Sequence, residues 1–94
     1  MAITVRFIGA LRHASGADEL TLDFEGALSV RDLMNKITKD TPALRRGLVD
    51  AQLDDPRPNT LILVNGREIS VLDGLETNLR DGDGVVLVPV VHGG

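Results

Sequence analysis

The chain has 94 residues, the length of one domain, and its fourteen acidic and ten basic residues give a formal charge of −4. It contains no cysteine and only two aromatic residues, which excludes disulfides, thiol catalysis and an aromatic platform for stacking nucleic-acid bases. No segment has the length and hydropathy of a signal peptide or a membrane span, so we expect a cytoplasmic protein that binds neither membrane nor nucleic acid.

Two strands are predicted near the start of the chain. Apolar residues occupy every second position in two segments: Ile3, Val5 and Phe7, then Leu20, Leu22 and Phe24. This period of two is typical of a strand with one buried face. Gly9 ends the first strand, Gly16 lies in the connection, and Gly26 ends the second strand.

A helix follows these strands. One apolar stripe recurs at helical spacing: Val30, Leu33, Met34 and Ile37. Ser29 is a good N-cap, and Asp32 lies three residues later, where the partner of a capping box belongs. Pro42 prevents this helix from continuing beyond Thr41.

The second half of the chain contains mainly strands and turns. The spacing of apolar residues at 42–53 is weakly helical and predicts a short second helix or a turn, and the composition at 54–58 predicts a surface loop. Three strands follow, at 61–64, 67–72 and 85–88, with hairpin or turn signals at 65–66 and 81–84. The order predicts an α+β domain with a mixed sheet of four or five strands and one main helix on one face.

The sequence offers no catalytic or metal-binding constellation. His13 and His92 lie at opposite ends of the chain, and the three serines are scattered. Asp81 and Asp83 begin a segment that resembles a calcium loop, but the later ligand positions lack oxygen side chains, which favours a tight turn. We therefore predict no metal site and no catalytic residue.

The C-terminal end is the most distinctive feature. Residues 91–94 read Val-His-Gly-Gly, and without side chains Gly93 and Gly94 can enter a channel that any Cβ would block. The alternative is a frayed terminus without a role. Two terminal glycines alone do not decide between these interpretations.

Three segments together carry a family resemblance: Asn-Thr-Leu-Ile-Leu-Val-Asn-Gly-Arg-Glu at 59–68, Leu-Arg-Asp-Gly-Asp-Gly-Val-Val-Leu-Val-Pro at 79–89, and the Gly-Gly end. With the order of elements, they resemble the β-grasp family of ubiquitin-like sulfur carriers and small modifiers (MoaD/ThiS-like). The resemblance implies a β-grasp domain at 1–90 and a flexible tail at 91–94. Val-Pro-Val-Val at 88–91 departs from the Pro-Pro pair that is usual in molybdopterin-type members, and His-Gly-Gly resembles the ubiquitin-related modifier of tRNA thiolation.

The resemblance also implies a reaction at Gly94. An E1-like adenylating enzyme uses ATP and Mg²⁺ to form an acyl-adenylate on its carboxylate, and a sulfur donor then displaces AMP to give a thiocarboxylate. The sulfur serves molybdopterin, cysteine or tRNA-thiolation biosynthesis. The chain is then a carrier rather than an enzyme and binds no cofactor itself, while Gly93 and His92 provide clearance and reach.

Two alternatives to the sulfur carrier remain open besides a remote self-sufficient enzyme. The same Gly94 could be joined to lysines of target proteins, which makes the chain a protein modifier, or the domain could bind partners without covalent chemistry. For a reaction at Gly94, we expect Leu61, Leu63, Val86 and Val88 to be candidates for docking the activating enzyme if their side chains lie outside the sheet. The competing interpretation of these four residues is ordinary core.

Overall fold

The computed structural model describes residues 1–48, 55–57 and 59–90. The strands are β1 (Ala2–Phe7), β2 (Glu19–Asp23), β3 (Leu28–Ser29), β4 (Thr60–Val64), β5 (Arg67–Glu68), β6 (Asn78–Leu79) and β7 (Gly84–Pro89). The helices are α1 (Ala10–Ser15), α2 (Val30–Asp40) and α3 (Pro42–Leu48), with short 3₁₀ turns at Ile69–Val71 and Gly74–Glu76.

The main sheet has five strands in the order β2-β1-β7-β4-β5. β1 and β7 run parallel at its centre, and each of the other neighbouring pairs is antiparallel. A second, two-stranded sheet pairs β3 with β6, which ties the start of α2 to the segment before β7. The predicted mixed sheet is confirmed, and the two-stranded sheet was not predicted.

One face of the main sheet, the inner face, packs against α2. The apolar residues on this face and on the helix are aliphatic apart from Phe7 and are almost fully buried: Ile3, Val5, Phe7, Val30, Leu33, Met34, Ile37, Ile62, Val64, Val85 and Leu87. The alternation in β1 and the stripe in α2 thus meet in one core.

The predicted capping box is present at the start of α2. The Ser29 hydroxyl oxygen accepts a hydrogen bond from the Asp32 backbone N–H at 3.1 Å, and the Asp32 carboxylate accepts one from the Ser29 N–H at 3.1 Å. At the other end, the helix stops at Asp40, before Pro42. The prediction for this helix is confirmed at both ends.

Of the two structures predicted after Pro42, the helix forms as α3, whose Leu44 and Leu48 enter the core, while 49–53 of the predicted segment lie outside the described residues. Thr60, buried at the start of β4, donates its hydroxyl hydrogen to the Leu48 carbonyl oxygen at 3.1 Å. α1 was predicted as a connection, because six residues are too few to display a helical period. It places Leu11 in the core.

The predicted return strand at 67–72 was too long. β5 ends at Glu68, and a 3₁₀ turn begins because the Glu68 carboxylate accepts a hydrogen bond from the Ser70 backbone N–H. Across the ranges that the structure describes, no helix combines the length and apolar character that crossing a bilayer requires.

Candidate functional site: the outer face of the sheet and the end of β7

The predicted docking residues lie on the face of the sheet opposite α2, the outer face. Leu61 is paired across the strands with Val88, and Leu63 with Val86. Leu61 is 37% exposed and the other three side chains are half-buried, whereas their chain neighbours on the inner face are almost fully buried. The four candidates are therefore brought together outside the core.

Two further residues extend this surface, and the sequence interpretation missed both. Val90 continues the alternation of β7 and is 41% exposed, and Ile8, level with Val88 just after β1, is 37% exposed. The alternation itself could have identified them, because Ile8 lies one residue and Val90 two residues beyond a predicted strand, both in phase with the outward positions. We call this surface the outer apolar patch; its members are Ile8, Leu61, Leu63, Val86, Val88 and Val90.

Charged residues border the patch on both sides. Arg6 of β1 lies beside Val86 and opposite Glu19 of β2, and Glu68 of β5 lies opposite Leu63. The hydrogen bond from Ser70 to the Glu68 carboxylate holds the pKa of Glu68 below its ordinary value. The patch is thus an apolar surface with a polar rim, an arrangement that protein–protein interfaces also have.

The end of β7 is held at two points. The Val90 backbone N–H donates a hydrogen bond to the Asn59 carbonyl oxygen at 2.9 Å. On the other side, Gly9 lies against Pro89 so closely that a Cβ on Gly9 would be 3.4 Å from Pro89 Cγ, and Gly9 has a φ of +60°. A side chain at Gly9 is therefore unfavourable in backbone conformation, although its Cβ would meet Pro89 only at ordinary contact distance.

The chain just before β4 is ordered by an ion pair. The Arg57 guanidinium donates from Nε to both carboxylate oxygens of Asp55 at 3.0 Å. This hydrogen bonding keeps the pKa of Asp55 below its ordinary value. The Pro56 carbonyl oxygen accepts hydrogen bonds from the backbone N–H groups of Asn59 and Thr60 at 3.0 and 2.9 Å, which joins this segment to the start of β4.

The other candidates have structural roles or fall outside the described ranges. Asp81 accepts a hydrogen bond from the Ala2 backbone N–H at 2.8 Å, and Asp83 accepts one from the Asn65 side-chain amide at 2.9 Å. These carboxylates organise the predicted turn. Where side chains are described, no three potential metal ligands cluster. His92, Gly93 and Gly94 lie outside the described residues, so their roles stay predictions.

The comparisons with known proteins agree with this architecture. The model of the ThiS family matches residues 5–94. The chain is 30% identical over 94 residues to small archaeal modifier protein 3 of Haloferax volcanii, and 37% identical over 98 residues to a protein of Archaeoglobus fulgidus named as a candidate sulfur carrier. Both alignments cover all of each chain.

A solved structure extends this similarity to the fold. Small archaeal modifier protein 1 of Methanosarcina acetivorans superposes with a TM-score of 0.84 at 33% identity, over 99% of this chain and 96% of that one. The sheet with its covering helix is thus the predicted β-grasp fold, and members of this group are carriers or modifiers rather than catalysts. The chain belongs to the ThiS family of ubiquitin-like small modifiers and sulfur carriers.

Proposed function

We propose that the chain is a sulfur carrier whose Gly94 carboxylate is adenylated by an E1-like enzyme and converted to a thiocarboxylate. The observation that carries this proposal is the position of the outer apolar patch, which runs along β7 and reaches Val90, where the chain leaves the strand. The candidate sulfur carrier of Archaeoglobus fulgidus, which matches over the full length, also supports it.

The chemistry explains why a partner is needed. A terminal carboxylate has a pKa of about 3.5, so at neutral pH it is an anion that resists nucleophiles. In the partner enzyme, a carboxylate oxygen attacks the α-phosphorus of Mg²⁺-bound ATP, and pyrophosphate leaves. Hydrosulfide then forms a C–S bond with the carbonyl carbon as the C–O bond to AMP breaks. ATP and Mg²⁺ belong to the partner, and the carrier itself holds no cofactor.

The distances available to the tail favour a partner seated on the patch. Val90 is bonded to Asn59, so only residues 91–94 lie between this anchor and the chain end. Four residues span at most about 14 Å, and two glycines add no side-chain bulk. An adenylating enzyme that covers Leu61 and Val88 can therefore hold Gly94 in a narrow active site.

The test uses the full chain with an E1-like adenylating enzyme, ATP, Mg²⁺ and sulfide, followed by intact-mass measurement. We expect a mass increase equal to the replacement of one oxygen by sulfur. Deletion of Gly94 should abolish it while the amide NMR spectrum of β1 to β7 stays unchanged. A chain that folds normally but gains no mass with any sulfide-dependent adenylating enzyme would exclude the carrier role.

A protein modifier is the second candidate, because two similar proteins are named small archaeal modifier proteins. Here a lysine amine, rather than hydrosulfide, displaces AMP and an isopeptide bond forms. The discriminating result is branched peptides in cells expressing this chain, lost when Gly94 is deleted. If function survives deletion of Gly93 and Gly94, the domain is a non-covalent binding module instead. For either reaction at Gly94, the cytoplasm is the compartment that we propose.

A further inference from the structure

β2 forms one edge of the main sheet, with β1 as its neighbour there. Backbone bonds join Phe7 N–H to the Asp18 carbonyl and Phe24 N–H to the Met1 carbonyl, both at 2.9 Å. In an antiparallel pair such bonded residues alternate with residues whose N–H and C=O groups face away. In β2 the residues that face away are Glu19, Thr21 and Asp23, which we call the β2 edge.

The side chains along this edge are strongly acidic. Four carboxylates fall within residues 18–25, and this segment contains no lysine or arginine. Asp18 has Arg12 at 3.7 Å and Glu19 faces Arg6 across the strands, but Asp23 faces Ala2. A strand added beside β2 would therefore meet a carboxylate at each end of the edge, and the Asp23 carboxylate has no cation opposite it on β1.

The inner side of the same strand is apolar. Leu20 is 37% exposed, and Leu22 and Phe24 are half-buried against the core. Alternation places these side chains opposite the carboxylates, on the side of α2. An added strand gains hydrogen bonds at its centre, ion pairs on one face and apolar contact on the other.

A second copy of this chain does not suit the edge. Antiparallel pairing of two β2 strands about Thr21 would set Glu19 opposite Asp23 of the second copy, and would do so twice. Like charges directly opposite each other destabilise a strand pair. The occupant must instead carry cations at the two positions that face the carboxylates.

We propose that the β2 edge binds an extended segment of a partner protein with lysine or arginine at two positions four residues apart and apolar residues at the alternate positions between. The partner adds one strand to the sheet. This inference goes beyond the proposed function and does not depend on Gly94, because β2 lies on the far side of β1 from β7.

The probe is a blocked peptide, Gly-Lys-Val-Thr-Val-Lys-Gly, titrated into the full chain and followed by backbone amide NMR. We expect the largest shifts, and slowed hydrogen exchange, at the amides of Thr21 and Asp23. A matched peptide with glutamate at both lysine positions should bind at least about tenfold more weakly, because both cross-strand charge pairs become repulsive. Equal binding of the two peptides, no binding, or shifts confined to the outer apolar patch would each overturn the proposal.

Two variants separate backbone pairing from charge. Thr21→Pro removes the central outward N–H without touching the bonds to β1, and it should abolish binding, while Thr21→Val should bind as the native chain does. Glu19→Lys combined with Asp23→Lys should reverse the preference, so that the glutamate peptide binds better. An unchanged preference in this double variant contradicts the proposal even if the proline variant does not fold. Dimerisation of the native chain through β2 would likewise contradict it.

Discussion

The two faces of the main sheet carry similar apolar residues, but only the inner face is covered by a helix. Ile62 and Leu87, on the inner face, are almost fully buried under α2, whereas their chain neighbours Leu61 and Val88 lie on the outer face without a covering element among the described residues. In each continuous apolar run, therefore, only every second side chain belongs to the core. The remaining positions form the outer apolar patch, which is the proposed docking surface.

The largest expected effect tests the inner face. Ile62→Ala should lower the free energy of unfolding by about 3 kcal/mol, because it leaves a cavity between β4 and the core that the surrounding side chains cannot fill. Urea denaturation followed by circular dichroism measures this loss. A decrease below about 1 kcal/mol would mean that the inner face is loosely packed, and the contrast between the faces would then fail.

A smaller effect is expected from the helix that covers this face. Ser29→Ala removes the acceptor for the Asp32 N–H and should cost about 1 kcal/mol of unfolding free energy. Ser29→Asp is the matched control, because its carboxylate can accept the same hydrogen bond and should retain most of the stability. If the two variants lose the same free energy of unfolding, the hydrogen bond of the cap does not stabilise α2.

Much of this architecture could be predicted because local signals and tertiary environment agree. The stripe from Val30 to Ile37, the capping box and the alternation around Val5 each specify an element and its buried face. The outer positions of Leu61 and Val88 were only one of two interpretations, because alternation shows that half the side chains of a strand face away from the covering helix but not which half. The tail was recognised by its glycines, and it lies outside the described residues.

Other features depend on contacts between distant segments. α1 has six residues, and its formation relies on Leu11 entering the core, which no local period reveals. β3 and β6 are two residues each and exist only as a pair. Likewise, the alternation in β2 predicts a strand but not that it lies at the edge, because strand order is a property of the whole sheet.

The smallest effect on stability is expected on the outer face, and it gives the most direct comparison with the inner face. Leu61→Ala should lower the free energy of unfolding by less than about 1 kcal/mol, because the side chain is already 37% exposed and its loss opens no enclosed cavity. Under the proposed function the same variant should raise KM for the carrier in the adenylation reaction while kcat stays the same, since the patch contributes binding and not chemistry.

Leu20→Ala is the matched control for this variant. Leu20 is also 37% exposed, but it lies on β2, separated from β4 by two strands, and outside the patch. Leu20→Ala should lower the free energy of unfolding by a similar small amount and leave KM for the carrier unchanged. If both variants raise KM equally, the effect follows general loosening of the domain and the outer apolar patch is not the docking surface. If only Leu61→Ala raises KM, the patch binds the activating enzyme without contributing much to the stability of the fold.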